Sequence, residues 1–197
     1  VALIAQADVA LSVLLTSCST FMAVVMTPLL VQLLVGSTVN VSGLALCKVT
    51  AQVVLLPVLA GMILKARLPG VAKFSSRFTP FLSVLLVSLI CGGVVAQNAG
   101  TASLGVLPAV LALHTLGFAA GYIVPKLRGR KESSCRTISI EVGMQNSALA
   151  VVLACSIGAG DVACLPGAIS ATVHSCLGSM LAAFWRLRGS RSTESSK

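Results

Sequence analysis

Thr137-Ile-Ser-Ile-Glu-Val-Gly-Met-Gln-Asn-Ser147 is a polar stretch at the head of an apolar block that runs from Thr137 to Ala159. An ionised side chain at the centre of a membrane helix costs about 2.5 to 3.5 kcal/mol even on the mildest insertion scale, so Glu141 requires a compensating partner. Gly143, followed by Met-Gln-Asn-Ser, makes a poor continuous helix. If the helix is entered at Ser133 or Ser134, capped by those hydroxyls, Gly143 stands about 15 Å deep at about 1.5 Å per residue. That is near the midplane of a hydrocarbon layer about 30 Å thick. The stretch therefore predicts a helix broken at mid-membrane. Its freed carbonyls then lie beside a carboxylate, as in the discontinuous helices that hold coupling ions in secondary transporters.

Around this stretch the whole chain is apolar. Of 197 residues, 56% are hydrophobic and only 10% are charged, against roughly 25% charged in soluble domains, and the mean hydropathy is +1.00. The apolar residues fall in six blocks, Val9 to Val35, Gly43 to Leu64, Pro80 to Ala96, Leu104 to Val124, Thr137 to Ala159 and Val162 to Trp185. Each is about the 20 residues a membrane helix needs. They lack the alternation of barrel strands, and Gly and Pro (Pro28, Pro57, Pro108, Pro166) are frequent within them, as suits closely packed membrane helices. The expected fold class is all-α and polytopic, with six transmembrane helices and the end of a preceding one at Val1. The chain starts without Met or a cleavable signal pattern, and is expected to be the C-terminal portion of a longer transporter.

Fourteen Lys and Arg against five Asp and Glu give a net charge of +9. In a soluble chain that balance would raise nucleic acid as a partner; here its distribution excludes it. Lys65, Arg67, Lys73 and Arg77 lie between blocks two and three, and Lys126, Arg128, Arg130, Lys131 and Arg136 between blocks four and five. Arg186, Arg188, Arg191 and Lys197 lie in the tail, and the alternate loops carry no basic residue. Basic residues gather on the cytoplasmic side or its equivalent, so the pattern fixes a six-span register with the C-terminus on that side. Residues 1–185 are read as the transmembrane domain and 186–197 as a basic, disordered tail, with Phe184 and Trp185 anchoring the last helix at the interface. Asn40-Val41-Ser42 matches a glycosylation acceptor in a loop too short to stand clear of the membrane. The seven cysteines show no metal-chelating spacing and read as small buried residues.

For a cation, Glu141 offers the neutralising charge, Gln145 an amide oxygen, and Val142 and Met144 their carbonyls. Ser12 and Thr16 are four apart and share a helix face; they become ligands if that helix packs against the break, and otherwise bond back to the helix carbonyls. Lys48, the other charge within a block, can snorkel to an interface or pair with a carboxylate. His114 and His174 lack a carboxylate or nucleophile beside them, which gives no support to hydrolase or metalloprotease chemistry. His174, with Ser170, Ser175 and Ser179 nearby, reads equally as a core histidine or a substrate contact.

Arg136-Thr-Ile-Ser-Ile-Glu-Val-Gly-Met-Gln-Asn-Ser-Ala-Leu-Ala150 closely resembles the crossover-helix motif of the bile acid:sodium symporter family. Asp8-Val-Ala-Leu-Ser-Val-Leu-Leu-Thr16, Thr27-Pro28-Leu-Leu, Val53-Val-Leu-Leu-Pro-Val-Leu-Ala-Gly61, Pro166-Gly-Ala-Ile-Ser170 and Val173-His174-Ser175 are similar to it as well. The resemblance implies a ten-helix fold of two inverted five-helix repeats, of which this chain would hold helices five to ten. It implies one sodium site at Ser12, Thr16 and Glu141, and a second at Glu141, Val142, Met144 and Gln145. Asn146, His174 and Ser175 match the substrate cavity, where relatives often carry Asn in place of Ser175. The family's first crossing helix would lie upstream of Val1.

The function this implies is sodium-coupled symport of a small organic anion, such as pyruvate, another 2-oxo acid or a bile-acid-like carboxylate, and not an enzymatic activity. Sodium is the expected coupling ion, and membrane lipid and the anion are the expected partners. Likeness to plastid-type members implies the chloroplast inner envelope, with the plasma membrane as the other location. Proton coupling through Glu141 and a truncated, non-transporting membrane fragment are the alternatives.

Overall fold

The structure, a computed structural model, describes residues 1–35, 43–98, 100, 105–156 and 160–194, in backbone only at 35, 161 and 189–194. The glycosylation acceptor expected at Asn40 lies outside the described residues. Seven helices follow one another: α1 (Val9–Val35), α2 (Gly43–Arg67), α3 (Pro69–Gln97), α4 (Val106–Leu127), α5 (Glu132–Gly143), α6 (Ser147–Ser156) and α7 (Asp161–Glu194). No strand occurs among the described residues. Since α5 and α6 together fill one crossing, the chain has six helical spans long and apolar enough to traverse a bilayer. It is an integral membrane protein. Large apolar side chains such as Leu44 and Leu127, 84% and 82% exposed, face outward at little cost because hydrocarbon is the solvent there.

Two boundaries differ from expectation and one agrees with it. The third helix starts at Pro69, not Pro80, and holds Lys73 and Arg77 on its first turns. Proline fits the first helical position, where its missing N–H is not needed, and the residue before it is barred from helical geometry. Leu68, at φ −133° and ψ 66°, alone separates α2 from α3. The tail expected to be disordered from Arg186 continues as helix to Glu194, since 186–194 contains no proline. Ahead of α1 a helical turn closed by Ala5 N–H on Val1 O at 3.0 Å and ended by Gln6 at φ 53° has the geometry of a helix end, as expected at Val1.

The fold divides into two compact units. In the unit formed by Cys18–Ala102 and Ala148–Ala168, Leu46 and Val54 of α2 pack on Leu149 and Leu153 of α6, with Val24 and Val31 of α1 beside them. Cys155 and Cys164 form a disulfide there, with Cα atoms 6.0 Å apart, and Cys18 is exposed. The cysteines are therefore not uniformly small buried residues, because the connection from α6 to α7 is short enough to bring two of them together.

The other unit, Val1–Ser17, Ser103–Ser147 and Ile169–Lys197, holds the polar stretch. Its core includes Ala5, Ile140, Ala182 and Trp185, with Tyr122 and Met144 against them. Trp185 is not an interface anchor as expected: it is buried and stacked on Tyr122 at 5.7 Å, with the Arg136 guanidinium 5.7 Å from its ring. Phe184 is the exposed aromatic of the pair. At this end Glu132 accepts from Tyr122 Oη at 2.9 Å and Arg136 Nε at 3.1 Å.

Close backbone approach joins α4 to α5. A Cβ on Gly121 would stand 2.8 Å from Ile138 O and 2.9 Å from Ser139 Cα, and one on Gly117 would stand 3.1 Å from Val142 O. The Gly117-x-x-x-Gly121 spacing puts both small residues on one face, which lets membrane helices approach to backbone contact. Ser139 Oγ then donates to Phe118 O at 2.7 Å. Gly121→Val is expected to lower stability by about 1 to 3 kcal/mol through overpacking. Gly92, with open space around its Cα, is the control: Gly92→Ala should be neutral or gain about 0.5 kcal/mol. Thermal unfolding of the detergent-solubilised protein compares the two.

Candidate functional site

The site begins where α1 starts. Leu11 N–H donates to Asp8 Oδ1 at 3.0 Å, so Asp8 is the N-cap that satisfies one free donor of the first turn. The Asp8 N–H also donates to Thr137 Oγ1 at 2.8 Å, and the Thr137 hydroxyl lies 3.1 Å from Asp8 O and 2.9 Å from Ser133 O. Arg136 Nη1 donates to Ala5 O at 3.1 Å. These bonds dock the start of α1 on α5 at the level of Thr137.

From that point the two helices advance in step. Ser12 follows Asp8 by one turn, and Glu141 follows Thr137 by one turn. Ser12 Oγ donates to Glu141 Oε1 at 2.5 Å, and Thr16 Oγ1, one turn further, lies 2.8 Å from Glu141 Oε2 and 2.9 Å from Ser12 O. Residues far apart in sequence thus meet on one carboxylate, with α1 packed against α5 beside the break.

Immediately beyond Glu141 the helix stops. α5 ends at Gly143, Met144 is extended at φ −94° and ψ 109°, and α6 starts at Ser147. The last carbonyls of a helix have no partner within it, and here side chains supply them. Gln145 Nε2 donates to Val142 O at 2.9 Å, and His114 Nδ1 lies 2.8 Å from Gly143 O. The Phe118 ring fills the space that a side chain on Gly143 would need. Met144 packs against Gly178, whose Cβ would stand 2.8 Å from Met144 Sδ.

The other expected residues are placed differently. Gln145 is exposed and its amide group is turned onto the Val142 carbonyl. Asn146 and Ser175 are exposed, and Ser175 Oγ bonds back to Ala171 O at 2.7 Å. His174 is buried, its ring 5.2 Å from that of His114 in an edge arrangement. Its Nδ1 is buried with no hydrogen-bond partner among the described residues. Lys48 is exposed on α2. No group of three or more His, Cys, Asp or Glu able to hold a metal occurs among the described residues; the Glu141 cluster is built of hydroxyl and carboxylate oxygens. Sequence alone named His114 and Ser170 without linking either to the break, and missed the two α4 glycines. The Gly117-x-x-x-Gly121 spacing was the available signal.

Beside the break, a cavity of about 450 Å³ opens between α4 and α5, lined by Gly121, Val124, Ile138 and Val142 with Arg128 and Arg130. The profile of the Sodium Bile acid symporter family matches residues 1–104. The chain belongs to that family. Among the relatives, it is 46% identical over 186 residues to the "Probable sodium/metabolite cotransporter BASS1, chloroplastic" of Arabidopsis thaliana, covering 93% of this chain and 46% of that protein. The rice protein of the same description is 45% identical over 186 residues, with 93% and 46% covered. The "Uncharacterized sodium-dependent transporter YocS" of Bacillus subtilis is 32% identical over 197 residues, covering 98% of this chain and 61% of that protein. The chain thus spans about half the length of the plant family members it matches.

In this symporter-family chain the register of α1 on α5 hangs on Asp8. Asp8→Ala should cost about 1 kcal/mol of stability, whereas Asp8→Asn, which keeps a cap acceptor, should stay within about 0.5 kcal/mol of the parent. Denaturation of the purified protein in detergent measures both.

Proposed function

We propose that the chain forms helices five to ten of a ten-helix inverted-repeat transporter that couples sodium entry to the movement of a small organic anion. The convergence of Ser12 and Thr16 on Glu141 at a broken mid-membrane helix carries this proposal. The donor set fits sodium: a carboxylate supplies the opposing charge, and hydroxyl rotors that now donate to it can instead present lone pairs to a cation. Gln145, Val142 and Met144 at the end of α5 would supply the second site, where a turn of the Gln145 amide would free the Val142 carbonyl and offer its own oxygen. The sodium/metabolite and sodium-dependent descriptions of the relatives support the same coupling ion.

For the anion, Asn146 stands at the break, with His174 and Ser175 on α7. The unpartnered Nδ1 of His174 supports a polar contact in that region, and Arg128 and Arg130 at the α4–α5 cavity would attract carboxylates from the basic side. Pyruvate, other 2-oxo acids and bile-acid-like carboxylates are the substrate classes proposed. The chloroplastic descriptions of the plant relatives support seating in the plastid inner envelope.

Uptake of labelled organic anions into liposomes containing the full-length protein tests the proposal. An inward sodium gradient should drive uptake, and choline at the same pH should not. Glu141→Gln should abolish the sodium-driven component. Ser12→Ala or Thr16→Ala should raise the half-saturating sodium about tenfold, the value of one lost polar contact of about 1.4 kcal/mol. Uptake indifferent to sodium, or unchanged in Glu141→Gln, would contradict the mechanism; uptake that followed a proton gradient instead would assign the coupling to Glu141 as a proton carrier.

A further inference from the structure

His114 is fully buried in the middle of α4 and both of its ring nitrogens are engaged. Nδ1 is 2.8 Å from Gly143 O, and Nε2 is 2.7 Å from Ser170 Oγ. Ser170 Oγ is in turn 2.7 Å from Ser147 Oγ, and both serines are buried. Gly143 is the last residue of α5 and Ser147 the first of α6, so this chain of three bonds begins on one side of the break and ends on the other. The distances alone leave the protons unassigned. The chemistry of the groups assigns them.

A carbonyl oxygen only accepts, so Nδ1 must carry a proton. A fully buried imidazolium with no carboxylate bonded to it would be costly. The ring is therefore neutral, its single proton is on Nδ1, and Nε2 accepts from the Ser170 hydroxyl. Having spent its one proton, Ser170 Oγ accepts from Ser147. Every donor then points the same way, from Ser147 through Ser170 and His114 to Gly143.

We propose that His114, locked as the neutral Nδ1–H tautomer, is the positioning residue of the helix break: it bridges Gly143 to Ser147 through Ser170 and so holds Met144, Gln145 and Asn146 out of helical geometry. Among the described residues, its hydrogen bonds go to Gly143 and Ser170 and not to Glu141. It acts through the backbone, fixing where α5 ends relative to the carboxylate one turn earlier. The proposal about the break stands on the geometry; its effect on sodium rests on the symport reading given above.

Nitrogen-15 NMR of histidine-labelled full-length protein reads the tautomer directly, with the signal identified by its disappearance in His114→Asn. A protonated Nδ1 beside an unprotonated Nε2 is expected. A proton on Nε2 alone, or on both nitrogens at neutral pH, would overturn the assignment. The tautomer is read from the unsubstituted fold, and where His114→Asn fails to fold, His114→Gln serves the same assignment.

Two substitutions then test the positioning role. The side-chain amide of His114→Asn places an N–H where Nδ1 stood and keeps the bond to Gly143, whereas His114→Phe keeps the bulk and loses both bonds. His114→Phe should raise the half-saturating sodium about tenfold with the maximal rate at high sodium largely retained, and His114→Asn should recover most of that loss. Equal behaviour of the two variants would overturn the positioning role. Sodium-indifferent uptake by the unsubstituted protein would instead overturn the symport reading, while the tautomer result still decides the proposal for the break.

Discussion

Glu141 and the carbonyls of Val142 and Gly143 at the end of α5 sit within a membrane-spanning segment, where polar groups are costly unless the protein itself partners them. Most of what is distinctive in this unit answers that constraint. Ser12 and Thr16 take the carboxylate. Gln145 takes the Val142 carbonyl and His114 that of Gly143. The close approach of α4 through Gly117 and Gly121 is what brings His114 within reach of the break, and the Asp8–Thr137 contact is what brings Ser12 within reach of Glu141. The interactions are local and directional, so the position of each helix end is set to within a hydrogen-bond length.

A site built this way suits a reversible ligand. Under the symport proposal, the hydroxyls now bonded to the carboxylate would turn lone pairs to a cation in their place. By contrast, the groups at Gly143 and Ser147 are tied into a buried network whose loss would leave several unpaired polar atoms. The break is thus firm at its two ends, while Gln145 and Asn146 between them are exposed. Under the symport proposal, such a discontinuous helix would bear the structure at its flanks and leave its middle open to ligands.

Much of this was legible in the sequence because its signals are local. The apolar blocks, the alternation of basic loops, and a Glu and Gly set among amides in one of those blocks each follow from a short window of residues. So the number of spans and the position of the break were within reach. What was not legible depends on registers between distant segments. Nothing near His114 in sequence says that it faces Gly143, and nothing near Trp185 says that it stacks on Tyr122 instead of facing lipid. Pro69 and Pro80 carry the same local signal, and only the first starts a helix. The resemblance named Ser12 and Thr16 before their meeting with Glu141 could be deduced from spacing, since four-residue spacing of hydroxyls is equally consistent with back-bonding, which Thr16 also makes.

The central claim is that one carboxylate and two hydroxyls at a helix break form the seat of a monovalent cation. Thallium(I) takes the place of alkali cations and scatters X-rays anomalously, so crystals of the full-length protein prepared with thallium in place of sodium locate that seat directly. An anomalous peak in bonding contact with Glu141, Ser12 and Thr16 is expected, lost when sodium is added in excess. A peak elsewhere, or a site where the two hydroxyls remain bonded to the carboxylate with no peak beside them, would contradict it.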